Sequence, residues 1–556
     1  VAEAISAAAR TLGDRPALLA WHDEAWRHVT FSELAGRVDN VARALVDDGL
    51  APGDRIGILG ANSPEWGQAY LAVQRAGGVT VPIDRLQTPV EWLDVLKRSG
   101  AGRLFVAHAE GVRLVPLLAE SMPTLRVFSL YGDLPGVQAS LEDLAGSSSN
   151  AALPSVSPEQ VASLIFTSGT TGKSKGVMLA HESILANAFG LLSRIDIDGR
   201  VDRFLSVLPM SHCYECTCGF VAPLLAGTPV YFARGFAPRE IVTDLERSGA
   251  TFLLGVPLLF EKISSGIDKG LQGAGVKGRV ARALWSVSRR GRPLWKHNLG
   301  KVVLGGVRAK AGLGRMRYLV SGGAPLPAEV GRQLEALGVR LLQGYGLTET
   351  SPVVTLNPPG EANPASVGKP LPGVEVRIHE PSEEGDGEVR VRGITIMRGY
   401  WNDEDATREA LRDGWFCTGD LGRFDQQGHL HITGRLKNLI ISPGGKNISP
   451  EEIESAALSC DAVSEIMVYG RSTGSGSGEE VCARVFPDLE YAAAQGWPVN
   501  RADLVLARVR PQIEAATAHL APYKRIVHYD LVMEPFEKTT TQKIKRFKHT
   551  QPASRT

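Results

Sequence analysis

Six short apolar runs, RIGILG, GVTVPI, RLFVA, SLIFTS, PVYFA and RYLVSG, punctuate the chain between about residue 30 and residue 345, with helix-like segments between them. Short buried strands alternating with helices satisfy their backbones in sheets that those helices cover, so α/β layers are the predicted architecture. After residue 365 the pattern changes to polar–apolar alternation in GVEVRIHE, GEVRVRG and GHLHITGR, broken by Gly and Pro turns. That period of two predicts a small antiparallel sheet or β-barrel. From ISPEEIESAAL onward, a proline-initiated helix, the strand-like runs AVSEIMVYG and EEVCARVFP, and a helix around Leu504 to Thr517 predict a compact α+β module.

At 556 residues the chain is too long for one hydrophobic core, so two to four domains are expected. Its 61 basic and 60 acidic side chains nearly cancel, which sets it apart from disordered chains and proteins that coat nucleic acid. Six cysteines without a paired CxxC frame point to a reducing compartment. Cys213, Cys216 and Cys218 beside His212 are thiolate and imidazole types that zinc favours, but no second distant ligand pair follows, and buried small hydrophobes are the preferred reading. The opening VAEAISAAARTLGDRPALLAW lacks a charged leader and cleavage site and is expected to form an amphipathic helix. No apolar stretch reaches eighteen residues.

The segment LIFTSGTTGKSKGVM at 164–178 carries the strongest chemical signal. A buried strand over Ser163 to Phe166 leads into backbone N–H groups, the hydroxyls of Thr167, Ser168, Thr170 and Thr171, and the ammonium groups of Lys173 and Lys175. Donors crowded in this way suit a polyphosphate. A Walker loop needs glycine where this chain has Thr167, and a kinase glycine loop fits no better. A second charge feature lies farther on: Lys269 to Arg317 holds thirteen Lys or Arg and no Asp or Glu, with Trp285 and Trp295 interleaved. The readings left open for it are a solvated face, a membrane surface and an RNA patch.

Four further stretches join the loop: SGGAPL at 321–326, QGYGLTETSP at 343–352, GWFCTGDLGRFDQQGHLHITGRLKNLI at 414–440 and TTTQKIKR at 539–546. In this order the set resembles the adenylate-forming enzymes, the superfamily of acyl-CoA synthetases, luciferases and peptide-synthetase adenylation domains. LPMSHCYE at 208–215 and the ending TTTQKIKR are similar to the long-chain fatty acyl-CoA synthetase subgroup. The resemblance implies a large adenylation domain over 1–435 and a small mobile C-terminal domain over 436–556.

It also implies the chemistry. A carboxylate attacks the α-phosphorus of ATP, pyrophosphate leaves, and a thiol then takes the acyl group, so two anions must first be brought together by cations and oriented N–H groups. By this resemblance Thr167, Ser168, Gly169, Thr170, Thr171, Gly172 and Lys173 grip the β and γ phosphates. Gly322, Gly323 and Ala324 form a wall for adenine and the acyl carbonyl. Within Gln343, Gly344, Tyr345 and Gly346, Tyr345 stacks on adenine. Thr348 reaches the α-phosphate, and Glu349, with Thr170, holds Mg²⁺. Asp420 accepts from the ribose hydroxyls, and Arg435 contacts ribose or phosphate, an interdomain ion pair being its plainer reading. His212 lines the acyl carboxylate site, and Lys543 is the cation of the first half-reaction. Lys437 is the pivot of a domain swing that presents Gly444, Gly445 and Lys446 to the thiol.

Two positions depart from the commonest pattern: Gln542 stands for Gly, and Gly434 stands for Asp before Arg435. The expected cofactors are ATP, Mg²⁺ and coenzyme A, and the expected substrate is a fatty acid. No nucleic-acid partner is expected. The expected location is the cytoplasm, peripheral to the inner membrane through Lys269 to Arg317, with a homodimer among the open oligomeric states. Two rivals are a fatty acyl-AMP ligase or acyl-carrier-protein synthetase, and a non-catalytic nucleotide- or lipid-binding homologue.

Overall fold

A computed structural model describes residues 1–167, 174–302, 304–361, 363–472, 478–538 and 544–546, except 291–300. Ser168, Gly169, Thr170, Thr171, Gly172, Lys173 and Lys543 therefore lie outside the described residues. The chain divides into two compact units. One comprises Val1–Thr167, Ser174–Val376 and Val391–Phe416, and the other Arg377–Arg390 and the described residues from Cys417 on.

Among the described residues the first unit holds two large sheets. In the nine-stranded sheet, Arg340–Gly346, Tyr318–Ser321, Phe252–Gly255, Phe204–Ser206, Val230–Phe232 and Pro16–His22 are successive parallel neighbours. In the seven-stranded sheet the order is Gly399–Tyr400, Lys175–Ala180, Val161–Thr167, Val79–Ile83, Arg55–Leu59, Arg103–Val106 and Arg126–Ser129. All six apolar runs are strands, and the opening segment is the helix Ala2–Leu12. Helices start where the chain supplies a cap: Thr30 and Glu33 form a reciprocal capping box for Phe31–Asp47, and Ser63 caps Pro64–Arg75. The latter helix is buried on nearly every side. Trp66 stacks on Tyr70 at 5.4 Å between ring centroids, and Tyr70 meets Phe220 edge-on at 6.3 Å.

The alternating segments form the strands Val374–His379, Gly387–Gly393 and Leu430–Arg435, which belong with Trp415–Phe424 and Leu411–Arg412 to a five-stranded sheet. In the second unit, Val463–Ser472, Glu479–Pro487 and His528–Leu531 build a three-stranded sheet. The helices Pro450–Ala457 and Ala502–Ala516 turn Ile453, Val505, Val509 and Ile513 into its core.

Candidate active site

The residues singled out in the first unit follow the carboxyl ends of strands, where open α/β sheets leave their crevices. Thr167 ends one strand and Lys175 begins the next, and the two are paired in antiparallel register. Gly322 follows Tyr318–Ser321, and Thr348 follows Arg340–Gly346. Asp84 follows Val79–Ile83.

His212, Cys213 and Tyr214 are consecutive, yet they reach three different strand ends. His212 Nε2 lies 3.2 Å from Asp84 Oδ2. Asp84 is itself fixed: its Oδ1 accepts from the Leu86 N–H at 3.0 Å, and its carbonyl accepts from the Trp92 indole at 2.9 Å. Cys213 donates its thiol to the Thr348 hydroxyl at 3.4 Å, and burial pushes that thiol up to about 12, so it stays protonated. Tyr214 donates its hydroxyl to the Val320 carbonyl at 2.9 Å. Its ring also explains Gly322, where a Cβ would stand 3.0 Å from the Tyr214 ring carbon Cζ. One short segment thus ties both large sheets to the same place. It continues as a π-helix, Tyr214–Val221, in which Cys216 and Cys218 are buried, as the preferred reading of these cysteines expected.

The Thr348–Thr350 turn is held from several sides. Asn187 donates to the Thr350 and Val353 carbonyls at 3.3 and 2.7 Å. Gly346 approaches the returning chain so closely that a Cβ there would lie 1.8 Å from the Pro352 carbonyl oxygen. Glu349 has its backbone carbonyl bound by the Met397 N–H at 2.9 Å, and its Oε1 accepts from the Tyr400 hydroxyl at 2.9 Å. Tyr400 pairs with Val177, and the Lys175 ammonium sits over its ring at 4.7 Å from the centroid. Burial first, then the Glu349 charge, holds the Tyr400 hydroxyl far above its ordinary pKa, so it remains a donor. The geometry therefore adds Asp84, Cys213 and Tyr400 to the residues legible in the sequence. Gln343 is buried and donates to the Pro364 carbonyl at 2.6 Å, while Gly344 and Tyr345 pair with Leu356 and Thr355. Gly323 turns at φ +84°, and Ala324 comes next in the same turn.

Glu349 offers a hard carboxylate oxygen already oriented by a neutral donor, and hydroxyl-bearing residues stand nearby in the chain. That donor set fits Mg²⁺.

In the second unit Asp420 and Arg435 face each other across antiparallel strands, with Arg435 Nε 2.6 Å from Asp420 Oδ1. Asp420 is buried, and its N–H donates to the Thr418 hydroxyl at 3.0 Å. The ion pair named as the plainer reading of Arg435 is present, but it lies within one unit. Lys437 is exposed in the turn Leu436–Asn438 directly after that strand. Gly444, Gly445 and Lys446 form the exposed tip of the hairpin between Ile440–Ile441 and Asn447–Ile448, closed by the Gly445 N–H donating to the Ser442 carbonyl at 2.8 Å. Lys545 and Arg546 are paired within this unit, with Glu537 at 2.7 Å and with Glu454 respectively.

Residues 5–401 match the model of a family described as AMP-binding enzyme. The chain belongs to that family. The AMP-binding enzymes lie within the adenylate-forming superfamily, and the chain is an AMP-forming acyl-CoA ligase that works with ATP, Mg²⁺ and CoA. Among its relatives, the long-chain-fatty-acid–CoA ligase FadD15 of Mycobacterium bovis is 32% identical, the match covering 94% of this chain and 90% of that protein. The feruloyl-CoA synthase of an Amycolatopsis species is also 32% identical, over 82% of this chain and 84% of its own. Among solved structures, ATP-bound MatB from Rhodopseudomonas palustris aligns with a TM-score of 0.76 at 28% identity, covering 98% of each chain. No described helix is long and apolar enough to cross a membrane.

Proposed function

We propose that this AMP-binding enzyme joins a long-chain fatty acid to coenzyme A through an acyl-adenylate. The observation that carries the acid assignment is the segment LPMSHCYE, whose His212 Nε2 lies 3.2 Å from Asp84 Oδ2 at the end of a buried strand. Similarity to long-chain ligases over nearly the whole chain supports the same reading. The match to a feruloyl-CoA synthase favours a second, an aromatic acid.

In the first half-reaction the acid carboxylate forms a bond to the α-phosphorus while the bond to pyrophosphate breaks. The segment Thr167 to Lys173 holds the β and γ phosphates, and Thr348 reaches the α-phosphate. Glu349 and Thr170 would hold Mg²⁺, which when bound would neutralise phosphate charge. Lys543 is the cation that meets the attacking carboxylate. Support for singling it out is local: Lys545 and Arg546, the neighbours that could compete for the role, are engaged with Glu537 and Glu454. Asp420 receives the ribose hydroxyls, with Arg435 holding the carboxylate in place. A turn at Lys437 then withdraws Lys543 and brings Gly444, Gly445 and Lys446 to the CoA thiol.

The test is a panel of acids from acetate to oleate, with ferulate included, assayed for AMP release with CoA and with a carrier-protein thiol. The proposal predicts the highest kcat/KM for long-chain acids with CoA as acceptor. Preference for ferulate, for acetate or for the carrier protein overturns it.

A further inference from the structure

The helix Gly275–Arg290 opens the basic segment, and its two faces differ in what they touch. Its inner face is tied down. Trp285 is buried and donates its indole N–H to the Gln333 carbonyl at 2.8 Å, and Ser288 donates to the Ala336 carbonyl at 2.9 Å. Trp285 therefore belongs to the inner face, and Trp295 lies outside the described residues. The outer face is apolar nonetheless: Val276, Val280, Leu284 and Val287 follow one another at spacings of four, four and three, and their exposures are 67%, 55%, 40% and 60%. At about 100° per residue these four fall within an arc of roughly 80°, with Lys277 and Arg279, both exposed, on its two flanks. Single exposed valines are ordinary, but a continuous stripe bordered by cations on a helix is the pattern of an interfacial helix.

Within Lys269 to Arg317 there is no acidic side chain. Of the thirteen basic residues from Lys269 to Arg317, Arg282 pairs with Asp268, Arg317 with Asp202, and Arg308 is buried against the Gly338, Leu313 and Met316 carbonyls. Lys277, Arg279, Lys301 and Lys310 are exposed. We propose that the outer face of Gly275–Arg290 docks on the surface of an anionic lipid bilayer, the valine and leucine side chains entering the acyl boundary and the flanking cations meeting lipid phosphates. A nucleic acid would satisfy the cations but leave the apolar stripe without a partner. A second copy of this face would set like charges against each other. The proposal does not depend on which acid the active site takes.

The experiment is cosedimentation of the purified full chain with vesicles of phosphatidylcholine alone and of phosphatidylcholine with phosphatidylglycerol, at low and high salt. Two variants are compared, Val280→Ser with Val287→Ser, and Lys277→Gln with Arg279→Gln, neither of which touches the active site. The wild type is expected to bind only the anionic vesicles and to be released by salt. The valine variant is expected to lose at least about tenfold in partitioning at unchanged charge, and the cation variant about fivefold for each charge removed. Unchanged melting temperature and unchanged ligase rate on a water-soluble acid keep the comparison fair. No vesicle binding, equal binding to neutral vesicles, or equal binding by variants and wild type overturns the proposal. So does a lipid-free dimer that the valine substitutions dissolve, or RNA binding that they leave intact.

Discussion

Replacing Tyr400 with phenylalanine removes one oxygen, the donor 2.9 Å from Glu349 Oε1, and leaves the ring under Lys175 in place. A hydrogen bond to a charged acceptor contributes about 1.5–3 kcal/mol, and because Tyr400 is half-buried, water can replace part of it, which favours the lower end. At 1.4 kcal/mol per factor of ten, a loss of about 1.5–2 kcal/mol corresponds to roughly 10–30-fold. The loss should appear in the carboxylate's grip on Mg²⁺, since the partner that orients a metal ligand acts on metal affinity. Acid-dependent ATP–pyrophosphate exchange, titrated with Mg²⁺, reads it as a shift of the Mg²⁺ midpoint to higher concentration, and the melting temperature controls for folding. The Tyr400 hydroxyl is held far above its ordinary pKa, so it keeps its proton and the defect should be the same at about pH 6 and about pH 9. An unshifted Mg²⁺ midpoint with wild-type exchange would refute the reasoning, whatever happened to stability.

Glu215 is buried beside Ser206 and the Val207 backbone, and burial raises it from 4.5 to about 8. Between those values the unfolded chain is ionised while the native carboxyl keeps its proton, so this contribution to stability is full below the unfolded value and is lost as pH rises toward about 8. Melting curves from pH 5 to pH 8 should show the wild type losing stability on the order of several kcal/mol from this group, and Glu215→Gln losing that slope; parallel slopes would count against it. Asp84→Asn keeps the size of the side chain 3.2 Å from the His212 imidazole but removes its charge, and should lower kcat/KM for the acid about tenfold with little change in KM for ATP. An effect on ATP alone would show that Asp84 does not act through His212. Gly346→Ala forces a Cβ against the Pro352 carbonyl and should cost about 1–3 kcal/mol or more in thermal unfolding, an outcome contradicted by an unchanged melting temperature.

The strands were legible because burial in a covered sheet demands a local pattern, short apolar runs such as RIGILG and RYLVSG between helical periods. Thr348, Glu349, His212 and Asp420 were legible because they sit in contiguous motifs. Their partners were not. Tyr400 lies 51 residues from Glu349, and nothing in its own neighbourhood marks it as a ligand's anchor; only pairing of Gly399–Tyr400 with Lys175–Ala180 brings it there. Asp84 is one acidic residue after a strand until folding sets His212 against it. The facing of the basic helix was not legible either: Trp285 is turned inward by its bond to the Gln333 carbonyl, a contact no local pattern encodes.

The most direct test of the account is Lys543→Ala measured in the two half-reactions separately. Adenylation, followed by acid-dependent pyrophosphate exchange, should fall by several orders of magnitude, while synthetic acyl-adenylate and CoA should still give thioester at close to the wild-type rate. Equal loss in both halves, or intact adenylation, would contradict the claim that this lysine serves the first step alone.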